Sequence, residues 1–215
     1  MNPVIEDYIR SLIVDKDEYL KELLAYADEY HVPIVHPEVA EFLEVFTLSH
    51  GAESVLEIGT AIGFSASIFS QGMKGKGKVV SIELKEEMHK IAQANVARLD
   101  VETEFDFRLG DAKDVLDEID GKFDIVFIDA AKGHYKLFFE KCFDKLKVGG
   151  VIISDNVLYK GMIAHDDYVV RRKITIVKRM RNYLDFISDH PQLKTAIMPF
   201  GDGLAISYKL EESNE

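Results

Sequence analysis

Disulfide chemistry is the first thing this sequence cannot support, because its 215 residues hold one cysteine, Cys142. A lone thiol excludes an intrachain disulfide and fits a reducing compartment. Cys142 falls in a helical pattern, where a buried, inert thiol is expected. No apolar run approaches the roughly 20 residues that span a bilayer. The first residues, with Glu6 and Asp7 before Arg10, lack the basic-then-apolar order of a secretory signal. There is no Pro- or Ser-rich linker, no repeat and no low-complexity tract. Cations are scarce too: 26 Lys and Arg stand against 38 Asp and Glu, a formal charge of −12. Such a surface repels phosphate and argues against indiscriminate nucleic-acid binding, while leaving room for a local basic patch. These absences point to a cytoplasmic, single-domain globular protein with no membrane association. The length is enough for a substantial core.

What is present is alternation. Residues 2–50 read as helices. Tyr8, Ile9, Leu12 and Ile13 recur at helical spacing, as do Leu20, Leu23, Leu24 and Ala27. Pro37 can open a third helix containing Val39, Phe42, Leu43 and Phe46. From 51 to 209, short β-branched runs alternate with helical patterns. Strands are expected at 54–58, 78–82, 104–109, 124–128 and 151–154. This order implies a parallel sheet with helices on both faces. The end breaks the pattern: the runs 195–199 and 204–208 flank Phe200-Gly201-Asp202-Gly203, a hairpin signal. The predicted fold is therefore one Rossmann-like α/β domain. Its seven-stranded sheet is mainly parallel with an antiparallel last strand, and helices 1–50 precede the 51–209 core.

Three oxygen-bearing residues end two of these runs. Ile125-Val126-Phe127-Ile128 leads into Asp129, and Val151-Ile152-Ile153-Ser154 leads into Asp155-Asn156. Ligands of open α/β sheets bind beyond the carboxyl ends of the strands. Two adjacent strands would bring these three hard donors to one point, suited to Mg²⁺ rather than zinc. The bland alternatives are a helix cap at Asp129 and a turn at Asp155-Asn156.

Upstream, Leu56-Glu57-Ile58-Gly59-Thr60-Ala61-Ile62-Gly63-Phe64-Ser65 follows the first strand. Gly59 and Gly63 permit close approach of backbone to a ligand, and the helix after them aims free N–H groups at it. Glu83 ends the second strand, where a carboxylate can accept hydrogen bonds from ribose hydroxyls. Glu57 sits badly beside a pyrophosphate but suits a cationic amine. This disfavours a nicotinamide-dependent oxidoreductase. Asp111, in Leu109-Gly110-Asp111-Ala112, either flanks an adenine or caps a helix.

On these residues the chain resembles the class I S-adenosylmethionine-dependent methyltransferases, specifically the cation-dependent O-methyltransferases that act on catechols and caffeoyl-coenzyme A. The most specific stretches are Phe127-Ile128-Asp129-Ala130-Ala131-Lys132 and Ser154-Asp155-Asn156-Val157-Leu158. More narrowly, it resembles the bacterial tRNA 5-hydroxyuridine methyltransferases at His31-Val32-Pro33-Ile34-Val35, Asp155–Gly161 and Gly201–Ser207. The resemblance implies S-adenosylmethionine bound by Val35, Glu57, Gly59, Thr60, Gly63, Ser65, Glu83, Asp111, Ala112 and Asp129. It implies Mg²⁺ on Asp129, Asp155 and Asn156, and Lys132 as the catalytic base beside Asp129. The implied reaction methylates the 5-hydroxyl of 5-hydroxyuridine at tRNA position 34, giving 5-methoxyuridine. A small-molecule catechol or caffeoyl-coenzyme A acceptor is the alternative. A homodimer, built on the N-terminal helices, is implied as well.

The local basic patch is Arg171-Arg172-Lys173-Ile174-Thr175-Ile176-Val177-Lys178-Arg179-Met180-Arg181, with six cations and no acid. Arg171, Arg172, Lys173 and Lys178 are the candidates for the tRNA anticodon region. Solvated charge on a surface helix, or coenzyme A phosphates, would account for the same pattern. A non-catalytic RNA-binding module is a further reading, though it leaves the carboxylate cluster without a purpose. His165-Asp166-Asp167 is read as a polar loop rather than a second metal site.

Overall fold

The computed structural model describes residues 3–13 and 17–211. Three helices come first: α1 (Pro3–Leu12), α2 (Glu18–Glu29) and α3 (Pro37–His50). Asp17 caps α2 by accepting a hydrogen bond from Tyr19 N–H at 2.9 Å, and Pro37 opens α3. The core then alternates β1 (Ser54–Ile58), α4 (Phe64–Gly72), β2 (Lys78–Glu83), α5 (Glu86–Val96), β3 (Glu104–Leu109), α6 (Ala112–Glu118), β4 (Phe123–Ile128), α7 (Tyr135–Phe143) and β5 (Leu146–Ser154). Helix α8 (Ile174–Ser188) and the hairpin β6 (Leu193–Met198) and β7 (Leu204–Lys209) complete it.

The seven strands lie in the order β3-β2-β1-β4-β5-β7-β6. The first five are parallel, and β7 inserts antiparallel between β5 and β6. The expected hairpin is thus present. Its second strand pairs with the parallel core, so β6 becomes the edge.

Side chains alternate across the sheet with period two. Leu56, Ile58, Val126, Ile128 and Ile152 pack on one face with Leu116, Phe138, Phe139, Met180 and Tyr183 of α6, α7 and α8. Val55, Ile125, Phe127 and Ile153 pack on the other with Leu23, Val39, Leu43, Phe64 and Phe69 of α2, α3 and α4. Cys142 is fully buried, and burial pushes its thiol up to about 12, so it is chemically quiet.

Some local expectations need adjustment. Strand β5 begins at Leu146, not 151, with an irregularity opposite Phe123 and Ile125 of β4. The basic segment does not begin as an α-helix: Arg171–Lys173 form a 3-10 turn, and α8 starts at Ile174. On α1, Tyr8 and Leu12 are exposed although their spacing reads as a buried face. Periodicity identifies a helix but not whether anything covers it.

Candidate active site

The crossovers reverse between β1 and β4. Strand β1 leads outward to β2 and β3, whereas β4 leads the other way to β5. Such a reversal opens a crevice at the carboxyl ends of the strands. Pairing runs one residue beyond each strand: Asp129 N–H donates to Ile58 O and Asp155 N–H to Ile128 O, both at 3.0 Å. Gly59, Asp129 and Asp155 consequently stand side by side on three adjacent strands. A Cβ at Gly59 would come within 2.0 Å of the Asp129 carbonyl oxygen, so no other residue fits there.

The glycine turn is braced from below. Glu57 is fully buried, and its two oxygens accept hydrogen bonds from Ser65 and Ser81 hydroxyls. Thr60 Oγ1 joins Ser81 Oγ at 2.5 Å, completing a network under the turn. Burial raises the Glu57 carboxyl to about 7, against the pull of the two hydroxyls. In this conformation Glu57 ties β1, β2 and α4 together rather than opening into the crevice. Glu83, 8 % exposed, holds the turn from the β2 side: Oε2 accepts Ala61 N–H and Oε1 accepts Lys85 N–H, each at 2.9 Å. Ala61 has φ 47, a left-handed conformation stabilised by that bond. Gly63 caps α4 with φ 82, and Ser65 lies in its first turn. Asp111 caps α6, accepting Lys113 N–H at 3.0 Å, and Ala112 begins that helix. The helix-cap reading of Asp111 therefore holds, at the mouth of the same crevice. Val35 is buried just before α3.

The second part of the site is acidic. Asp155 is 1 % exposed, Asp129 is half-buried, and each carboxyl is raised, mainly by burial. The charge of Asp129 raises Asp155 further, while Lys132 opposes both shifts. Asp155 Oδ1 accepts the Asn156 backbone N–H at 2.6 Å. Asp155 Oδ2 is, among the described residues, the one buried side-chain polar atom without a hydrogen-bond partner. A buried, unpaired carboxylate oxygen beside a second carboxylate is costly unless a cation meets it. The helix-cap reading of Asp129 fails, because Ala131, not Asp129, precedes the next 3-10 turn. No three or more His, Cys, Asp or Glu residues gather as a metal site among the described residues. A cation here would take Asp129, Asp155 and the Asn156 amide, an all-oxygen set that fits Mg²⁺.

The loop after β5 is held in a strained shape. Asn156, Tyr159 and Lys160 have φ of 58, 45 and 57. The β6–β7 hairpin supplies the restraint. Val157 N–H donates to Gly203 O and Leu158 N–H to Asp202 O, both at 2.9 Å, and Lys160 N–H donates to the Asp202 carboxylate. A Cβ at Gly203 would meet Leu158 Cγ at 2.3 Å. Lys132 opens the 3-10 turn after β4, with Nζ 5.9 Å from the centre of the Tyr159 ring. Lys173 Nζ stands 5.8 Å from the same ring. Arg171, Arg172 and Lys178 are exposed. His165 and Asp167 lie on an exposed loop, and Asp166 pairs with Arg181 at 2.7 Å, as a polar loop requires.

Four further residues shape this site without having been singled out for it by the sequence. A protonated His36 would lower the Asp129 carboxyl, and Arg10 Nη2 lies 3.2 Å from His36 Nδ1. Asp202 raises Asp155 from the hairpin side. Tyr135 donates to the Asp155 carbonyl at 2.8 Å. Ser81 was findable, since it lies two residues before Glu83 and shares its strand face. The other three meet the site only through tertiary folding. A groove of about 1140 Å³ between the N-terminal helices and residues 74–76 and 100–102 lies at the amino ends of the strands, away from this chemistry.

The family profile described as O-methyltransferase matches residues 10–210. Caffeoyl-CoA O-methyltransferase of Medicago sativa is 27% identical over 217 residues, covering 94% of this chain and 85% of that protein. Tricin synthase 2 of Oryza sativa is 28% identical, covering 91% of this chain and 70% of its own. A solved Staphylococcus aureus protein, provisionally described as a caffeoyl-CoA O-methyltransferase, superposes with a TM-score of 0.88 at 31% identity over 96% of this chain and 99% of its own. A Bacillus cereus O-methyltransferase solved with SAH gives 0.84 at 27% identity over 96% and 97%. Sheet order, glycine turn, acid pair and these likenesses agree: the chain belongs to the O-methyltransferase family.

Proposed function

We propose that this protein is a divalent-cation-dependent O-methyltransferase that moves a methyl group from S-adenosylmethionine to the 5-hydroxyl of 5-hydroxyuridine at the wobble position of tRNA. The observation that carries the cation requirement is the unpaired, buried Oδ2 of Asp155 beside Asp129. A dication there would bind two adjacent acceptor oxygens, the O5 hydroxyl and O4 carbonyl, and favour loss of the hydroxyl proton. The chain's own residues do the rest. Glu83 offers a carboxylate to the ribose, and Gly59 and Gly63 let the cofactor approach the backbone. Lys132 takes the acceptor's hydroxyl proton. The acceptor oxygen forms its bond to the methyl carbon as the bond from that carbon to sulfur breaks, leaving S-adenosylhomocysteine. Alignment of the two reactants supplies much of the rate.

The tRNA assignment is supported by the basic segment of an otherwise acidic protein, whose Lys173 shares the Tyr159 ring with Lys132. The second reading, a caffeoyl-coenzyme A or catechol acceptor, is favoured by the names of the curated relatives. Nucleoside mass spectrometry of tRNA from a strain lacking the gene separates them. Loss of 5-methoxyuridine with accumulation of 5-hydroxyuridine is expected, and an unchanged nucleoside profile favours the small-molecule acceptor. The exposed Val4, Ile5, Tyr8 and Leu12 of α1 support a homodimer built on the N-terminal helices, which sedimentation velocity tests.

A further inference from the structure

Two of the six cations between 171 and 181 are already committed. Arg179 Nη1 donates to Gly133 O at 3.3 Å. Arg181 donates from Nε to Ile163 O at 2.9 Å and from Nη2 to Met162 O at 3.2 Å, and pairs with Asp166. These arginines staple α8 to the turn carrying Lys132 and to the loop carrying Tyr159. They have a structural task and are poorly placed to meet a ligand. Arg171, Arg172, Lys173 and Lys178 remain.

Lys173 differs from the other three. It is half-buried, and its ammonium lies over the same tyrosine ring as that of Lys132. The two ammonium groups are therefore no further apart than those two short distances laid end to end. The Tyr159 ring is 9 % exposed and packed against Met162 and Val177, so it is a fixed marker rather than a swinging arm. No carboxylate pairs with Lys173 among the described residues. A half-buried lysine with no carboxylate paired to it among the described residues, beside the ring that Lys132 also faces, is a place for an anion. That upper limit restricts which anion fits. It admits one nucleotide, from the oxygen on its base to its own phosphate. The pyrophosphate of a coenzyme A thioester is set back by the whole pantetheine arm.

We propose that Lys173 binds the 5′-phosphate of the nucleotide whose base is methylated, so that the acceptor is recognised as a pyrimidine nucleoside monophosphate unit within the RNA. Arg171, Arg172 and Lys178 then meet neighbouring phosphates and supply salt-dependent affinity. This deepens the tRNA reading and rests on it.

The test uses anticodon stem-loop RNAs carrying 5-hydroxyuridine. One has a neutral methylphosphonate at the 5′ position of that nucleotide, and another has it two nucleotides upstream. Against wild-type protein the first substitution is expected to raise KM roughly tenfold, the cost of losing one charge-assisted contact. Against Lys173→Gln it should add nothing, because the partner is already gone. The upstream substitution should remain additive with Lys173→Gln and lose its effect in Arg171→Gln/Arg172→Gln. Calorimetry of S-adenosylhomocysteine binding checks that each variant keeps its fold. Additive losses for the 5′ substitution and Lys173→Gln overturn the assignment, as does an unaltered KM for the 5′-neutral RNA. If the unmodified stem-loop and full-length 5-hydroxyuridine tRNA both go unmethylated, the tRNA reading itself fails.

Discussion

Three carboxyls, the buried Glu57 and Asp155 and the half-buried Asp129, are all held above their ordinary range. A raised carboxyl means that the fold favours its neutral form. Each therefore costs nothing on the acid side of the unfolded value and lowers stability as pH rises toward the folded value. For Glu57 that window runs from its usual 4.5 to about 7. The full cost on its alkaline side is about 3 kcal/mol. Urea unfolding of the metal-free protein should accordingly show stability falling from pH 5 to pH 7.5, and Glu57→Gln should flatten the slope. An unchanged slope would mean that Glu57 is ionised in the fold throughout. Asp155→Asn should separate stability from activity. It removes the charge on the unpaired oxygen while keeping the acceptor for Asn156 N–H. In EDTA at pH 8 we expect the variant to be more stable by about 1–3 kcal/mol, with methyl transfer abolished. Lower stability there would show that the charge is compensated by something other than a cation. Glu83→Ala should weaken cofactor binding by about 1.5–3 kcal/mol by calorimetry, although its two backbone bonds make some loss of turn order part of that figure.

At the scale of elements, the strand ends were legible because β-branched runs stop where oxygen-bearing residues begin, and parallel pairing then places those residues together. The β6–β7 hairpin was legible from Gly201-Asp202-Gly203. Its grip on Val157, Leu158 and Lys160 was not, because those contacts join residues more than 40 positions apart and depend on β7 entering beside β5. The same holds for Lys173 and Lys132, which reach the same Tyr159 ring only once α8 has packed. Glu57 shows the limit differently: the motif announces an acid, but only the β1–β2 register reveals that Ser81 occupies one of its oxygens. The turn after β1 offers a direct check. Gly59→Ala pushes a methyl into the Asp129 carbonyl and should cost about 2–4 kcal/mol. It should also lower both cofactor affinity and turnover, since it separates the two halves of the crevice. A variant with wild-type unfolding midpoint would mean that β1 and β4 can part there without strain.

Over the whole molecule, charge is distributed unequally. The 171–181 segment holds six cations, and the remaining 20 face 38 acids. In an acidic protein, such a basic segment would be the favoured place for RNA to approach. Neutralising Arg171, Arg172 and Lys173 together should raise KM for tRNA and reduce the dependence of log affinity on log salt by roughly 0.7–0.9 per lost phosphate contact. Filter binding across a salt series reads this directly, and a slope that does not move would leave these charges merely solvated.

The insertion of β7 between β5 and β6 also has a consequence in time. A ribosome delivers Asp129 and Asp155 long before Asp202 and Gly203. Until then β5 exposes an open edge, and the loop from Asn156 to Lys160 lacks the contacts that hold its left-handed residues. The nascent chain thus holds Asp129 and Asp155 for some 50 residues of synthesis without the clamp that shapes their surroundings. The final shape of the loop after β5 therefore waits for the hairpin to emerge and dock.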